Sequence, residues 1–129
     1  MSEIKVVNAF NKVSTASGIL NFDDIAVFNK EIKGYGNFKL RIPTMFEETK
    51  ITVAIKEATK GQALGKEDFS LIEAIITLEN VIVEKPQGFP DSMAEVRDME
   101  LISELWSWCL ECYKEYNEGI KKKRESLKS

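Results

Sequence analysis

The segment from residue 67 to residue 85 constrains the fold more than any other part of the sequence. On a helical wheel of about 100° per residue, its apolar side chains cover well over half of the circumference. These side chains are Leu71, Ile72, Ala74, Ile75, Ile76, Leu78, Val81, Ile82 and Val83. A helix that is apolar on so much of its surface has to be packed on two sides, so the sequence predicts a central helix here. The β-branched end of the segment, residues 81–83, also fits an extended conformation.

A β-hairpin is predicted ahead of this helix. Apolar and basic residues alternate from Phe38 to Ile42, which is typical of a half-buried strand. A second short apolar segment lies at residues 25–33, and the glycines and asparagine of Gly34–Asn37 between the two are typical of a turn. Pro43 ends the second strand because it has no N–H to donate to the sheet.

Further helices are predicted on both sides of the central one. Thr44 and Glu47 have the spacing of a capping box, and the helix that they begin ends at Gly61. The last helix begins near Asp98 and runs past Asn117, with one apolar stripe along its length. Together these elements predict an α+β fold, with an N-terminal β-hairpin packed on a three-helix, mainly α-helical domain.

The chain of 129 residues fits one domain with distinct ends. We predict an N-terminal arm or edge strand at residues 1–24, the hairpin and three helices at residues 25–118, and a basic C-terminal tail at residues 119–129. The basic cluster Lys121–Arg124 is typical of a solvated helix end. The net charge is −3, so no nucleic-acid partner is expected, and the apolar segments are too interrupted to predict a membrane span.

The residue types in the sequence exclude several kinds of catalytic and metal-binding site. The chain has no histidine, which excludes histidine triads, histidine metal sites and histidine proton shuttles. Cys109 and Cys112 have C-x-x-C spacing, but they lie inside a predicted helix and on its apolar stripe. We therefore expect both thiols to pack in the core, with a redox or metal role as the alternative. The sequence predicts neither an enzyme nor a bound cofactor.

Glu79 stands out because it falls inside the apolar arc of the central helix. A buried carboxylate has to be paired or protonated. We predict a structural ion pair between Glu79 and Arg41 on the preceding strand. The alternative is a general acid with a raised pKa.

Two groups of apolar residues are predicted to bind a partner. Trp106, Leu110 and Tyr113 have i, i+4 and i+7 spacing and share a helix face turned away from the centre of the core stripe. Such aromatic side chains with a neighbouring leucine are typical interface anchors. The alternative is that Trp106 and Tyr113 complete the rim of the core and that Leu110 is an isolated exposed residue. Met45 and Phe46 form the second group, at the start of the first helix.

The order of these features resembles the small tail assembly chaperones, and related tail-cluster proteins, of long-tailed bacteriophages. The shared features are a strand ending at Phe38–Thr44, an acid-rich helix, an apolar helix ending at Ala74–Val83, the loop Pro86–Phe89 and an aromatic-rich last helix. The resemblance covers about residues 38–118 of the chain. It leaves the first 37 residues unaccounted for.

The resemblance implies a non-enzymatic protein of the host cytoplasm that self-associates. Such a protein keeps the tape measure protein soluble and brings tail tube subunits to it. No catalytic residue and no cofactor come with the family. The alternative is a structural tail or neck component that forms rings, in which the N-terminal residues reach a neighbouring subunit. A frameshift site in the codons for Lys121–Lys123 would extend the product, and the gene sequence tests this.

Overall fold

The computed structural model describes residues 22–128. Its strands are β1 (Val27–Ile32), β2 (Gly36–Arg41) and β3 (Ile82–Glu84), and its helices are α1 (Met45–Thr59), α2 (Lys66–Val81) and α3 (Met99–Lys128). The 3-10 turns Asp23–Ile25 and Met93–Glu95 precede β1 and α3. The predicted α+β fold is confirmed. An N-terminal arm or edge strand is predicted for residues 1–24, and residues 1–21 of it lie outside the described residues.

The sheet contains the predicted hairpin and one strand more. β1 and β2 pair antiparallel from Val27↔Arg41 to Ile32↔Gly36. Gly34 and Gly36 have φ of 91° and 125° in and after the turn, which explains why glycine occupies both positions. The strand order is β1-β2-β3, and β3 pairs antiparallel with β2 next to a bulge between Lys39 and Leu40. The extended alternative for residues 81–83 is therefore correct for Ile82 and Val83, whereas Val81 is the last residue of α2.

Helix α2 has the predicted central position, because it contacts both α1 and α3. Ala74, Thr77, Leu78 and Val81 are its buried side chains. Leu71, Ile75 and Ile76 are half-buried and pack at the rim of the core, and Phe69 is exposed. The strongly apolar composition of α2 thus reflects its packing against two helices and at the rim of the core, and not complete burial of the helix.

Helix α3 is longer than the predicted third helix. Asp98 caps it, since Asp98 Oδ1 accepts the N–H groups of Glu100 and Leu101 at 3.0 and 3.3 Å. The helix has 30 residues, which corresponds to a length of about 45 Å. The basic segment from residue 119, described above as a tail, continues this helix through Lys128.

One hydrophobic core joins the sheet to the three helices. α1 contributes the buried Ile51 to this core. The most deeply buried members come from the sheet, α2, α3 and the turn before α3, and they are Phe38, Leu40, Leu78, Val81, Met93, Leu105, Cys109 and Cys112. Near the C-terminal end of α3, Lys123 forms an ion pair with Asp24. This contact fixes the turn before β1 against α3.

Candidate interaction surfaces

The first turn of α1 presents large apolar side chains to solvent. The predicted capping box is present: Thr44 Oγ1 accepts the Glu47 N–H at 3.2 Å, and Glu47 Oε1 accepts the Thr44 N–H at 2.9 Å. Met45 and Phe46 follow the cap directly and are 85% and 68% exposed. The backbone that carries these two side chains is therefore fixed by the cap, while the side chains have little intramolecular cover.

Val53 extends this apolar surface along the helix. It lies seven residues after Phe46, so both side chains share a face, whereas Ile51 points to a different face and is buried. Lys50 lies between them, with its ammonium 4.8 Å from the centre of the Phe46 ring. We call Met45, Phe46 and Val53 the α1 surface. The sequence prediction named the first two, and the i, i+7 spacing is the signal that would have found Val53.

The three residues predicted on α3 do not form one exposed face. Leu110 is 53% exposed, whereas Trp106 and Tyr113 are half-buried and pack against the core. This arrangement corresponds to the alternative in which the two aromatic residues complete the rim of the core. Met99 is also exposed and lies on the same side of α3 as Leu110.

Tyr113 connects α3 to α1. Its hydroxyl donates a hydrogen bond of 3.1 Å to Oε2 of Glu48. Burial, followed by the nearby Glu48 carboxylate, raises the pKa of Tyr113. Met45 lies one turn before Glu48, and Leu110 lies one turn before Tyr113, so each lies within about one helical turn of this contact.

The predicted ion pair between Arg41 and Glu79 does not form. Arg41 instead donates to Oε2 of Glu47 at 2.7 Å, because the first turn of α1 follows β2 closely. Glu79 is exposed, and its Oε2 accepts the N–H of Met93 at 2.6 Å. Glu79 therefore holds the turn before α3 and is not a buried general acid.

The two thiols behave as core residues, as predicted. Cys109 and Cys112 are free and almost fully buried. Burial is the main cause that raises the pKa of each thiol to about 12. Both thiols are consequently protonated near neutral pH and are poor nucleophiles and metal ligands.

Within residues 22–128, no three histidine, cysteine or acidic side chains are grouped so that they would hold a metal ion. None of the helices in this range combines the length and the apolar character that crossing a membrane requires.

Comparison with known proteins gives no relative for this chain: no protein-family model, no curated protein and no solved structure matches it.

Proposed function

We propose that this protein is a non-enzymatic binding protein, and specifically a tail assembly chaperone of a long-tailed bacteriophage that acts in the host cytoplasm. Its client would be the tape measure protein, with tail tube subunits as further partners. The observation that supports this proposal best is the exposure of Met45 and Phe46 on a capped helix. The resemblance in residues 38–118 adds the class of client.

The α1 surface suits an apolar client. Burying a fully exposed phenylalanine or methionine side chain contributes about 1.5–3 kcal/mol, so Met45 and Phe46 are strong anchors for binding. Methionine also adapts to irregular partners because its side chain is unbranched and flexible. A long helical protein with repeated apolar stripes presents many such partner surfaces, and a chaperone has to cover them one after another.

Leu110 widens the proposed binding surface. It is exposed on α3 one turn from the Tyr113–Glu48 hydrogen bond that joins α3 to α1. Trp106 and Tyr113 support this region from the rim of the core. In the proposal, these two aromatic residues hold α3 in place while Leu110 and the α1 surface contact the client.

The experiment is co-expression of the protein with the tape measure protein encoded in the same genome. We expect the tape measure protein to remain soluble and to co-purify with the wild type. The double variant Met45→Ser and Phe46→Ser should lose both effects. The matched control is Val83→Ser with Leu127→Ser, which removes two exposed apolar side chains outside the α1 surface and Leu110; this variant should behave as wild type.

Two results would overturn the proposal. One is a tape measure protein that is equally soluble with and without this protein. The other is a purified protein that forms closed rings in light scattering and is present in finished virions, which would identify it as a structural tail or neck component.

A further inference from the structure

The outer edge of β1 has no strand beside it in the described residues. β1 is the first strand in the order β1-β2-β3, so only β2 pairs with it. The N–H of Ile42 donates to the carbonyl oxygen of Ala26 at 2.8 Å. Hydrogen-bonded and non-bonded pairs alternate in an antiparallel ladder, so Val27, Asn29 and Glu31 direct their N–H and C=O groups away from β2.

A groove lies beside this edge, between β1 and the far part of α3. Its volume is about 390 Å³, which is within the usual size of a ligand site. Ile25, Val27 and Phe28 form its apolar side. Gly119 lets α3 approach closely, since a Cβ atom at this position would lie 2.9 Å from Cδ1 of Ile25.

The helical wall of the groove is predominantly acidic. Glu115 and Glu118 line it together with a single base, Lys122. Both carboxylates are exposed, and neither forms an ion pair with another residue in the range 22–128. The wall therefore favours a positively charged partner.

From this combination we infer that the edge of β1 and the adjoining groove bind an extended segment of a partner protein that carries apolar and basic residues on one face, at every second position. Such a segment would add to the sheet as a strand next to β1, with its backbone bonded to Val27, Asn29 and Glu31. Its apolar side chains would enter the groove, and its basic side chains would approach Glu115 and Glu118. This site is separate from the α1 surface and does not rest on the proposed chaperone function.

The test uses the full chain and a short peptide in which valine and lysine take turns at every second position, with threonine at the positions between them. Its counterpart carries glutamate in place of each lysine. Fluorescence anisotropy measures binding, and amide hydrogen exchange followed by NMR locates it. We expect the lysine peptide to bind, the glutamate peptide not to bind, and the amides of Val27, Asn29 and Glu31 to become protected only when the lysine peptide is present.

Two variants separate strand addition from general charge attraction. Asn29→Pro removes an outward N–H and keeps the β1–β2 hydrogen bonds, so it should weaken binding about tenfold or more, while Asn29→Val should not. Glu115→Lys with Glu118→Lys leaves the strand untouched and should also weaken binding by about tenfold. The control, Glu57→Lys with Glu104→Lys, makes the same change in net charge at exposed carboxylates outside the groove and should bind as wild type.

Three results would overturn the inference. The first is binding that Asn29→Pro and the groove charge reversal both leave unchanged. The second is peptide-dependent protection at amides other than those of β1. The third is protection of Val27, Asn29 and Glu31 in the protein without peptide, since the edge would then already be covered by another part of the chain or, if the protection depends on concentration, by a second copy.

Discussion

The carboxylate of Glu47 accepts a hydrogen bond of 2.7 Å from the guanidinium of Arg41 on Oε2. Its other oxygen, Oε1, accepts the N–H of Thr44, the cap residue of α1, at 2.9 Å. The end of β2 and the start of α1 are thereby joined across Pro43. The hydrogen bond from Arg41 is the main cause that lowers the pKa of Glu47 below its ordinary value of 4.5.

Glu47→Gln should destabilise the protein in a pH-dependent manner. The pair is partly exposed to solvent, so we expect a loss of about 1 kcal/mol in the free energy of unfolding at pH 7. Because the pKa of Glu47 is lower in the folded chain, its stabilising contribution is complete above about pH 4.5 and is lost as the pH falls through the folded value. Urea unfolding from pH 7 to about pH 3 measures the difference between wild type and variant, which should shrink toward acid.

The matched control for this prediction is Glu57→Gln, which changes an exposed carboxylate on the same helix. Its unfolding curve should stay close to the wild-type curve throughout. A Glu47→Gln deficit of constant size down to about pH 3 would show that ionisation of this carboxylate does not contribute to stability.

The sequence predicted the capping box correctly and the partner of Arg41 incorrectly, because only the capping box is a contact between residues that are close in sequence. Thr44 and Glu47 are neighbours on one helical turn, so their spacing determines their contact. The position of Arg41 relative to Glu79 depends on how β2, α1 and α2 pack, which no local pattern specifies. The third strand was predicted only as an alternative for a related reason, because Ile82–Glu84 becomes extended by pairing with residues more than forty positions earlier.

Glu79 should stabilise the protein through the N–H of Met93. Glu79→Ala removes the acceptor of the 2.6 Å hydrogen bond, and Met93 itself is fully buried. We expect a loss of about 1–3 kcal/mol in the free energy of unfolding, measured by urea denaturation. Glu79→Gln retains a carbonyl oxygen and should lose less than half as much. Equal losses for the two variants would indicate that the charge of Glu79, rather than this hydrogen bond, contributes the stability.

Cys109 and Cys112 should lower the free energy of unfolding at alkaline pH. Both pKa values rise to about 12 from an ordinary value of 9.0, mainly through burial. The folded chain therefore keeps its thiol protons at a pH where the unfolded chain loses them. The associated stability is complete below about pH 9 and is lost as the pH rises toward 12, by up to about 1.4 kcal/mol per pH unit for each thiol.

Unfolding of wild type and of the variant Cys109→Ala with Cys112→Ala, compared between about pH 7 and pH 11, tests this prediction. The variant should be less stable near neutral pH because it leaves a cavity in the core, but its stability should fall less steeply in alkali. Native thiols should also react slowly with iodoacetamide and rapidly in urea. Fast alkylation of the folded protein would contradict the buried, protonated state.

The described residues also show which exposed positions a periodic pattern can identify. Met45 and Phe46 were predicted as partner-binding residues because they are adaptable apolar side chains at the start of α1, and both are exposed. Trp106 and Tyr113 were predicted from their helical spacing with Leu110, but they pack against the core, as the alternative prediction had it. Helical spacing tells which residues share a face. How much of that face a neighbouring element covers depends on tertiary packing, here on the approach of α1 to α3 through Glu48 and Tyr113.

Phe46→Ala and Ile51→Ala form the most direct comparison between the α1 surface and the core. The two residues lie on one helix, but Phe46 is 68% exposed and Ile51 is 3% exposed. Ile51→Ala should cost about 2–4 kcal/mol in the free energy of unfolding, because it removes buried methyl groups and leaves a cavity. Phe46→Ala should change stability by no more than about 0.5 kcal/mol, since most of the side chain is exposed and its contact with the Lys50 ammonium lies at the surface. Urea unfolding gives both values, and binding to the tape measure protein is then measured on the same samples. If Phe46→Ala proved as destabilising as Ile51→Ala, the Phe46 side chain would serve the fold rather than a partner, and the α1 surface would lose its main anchor.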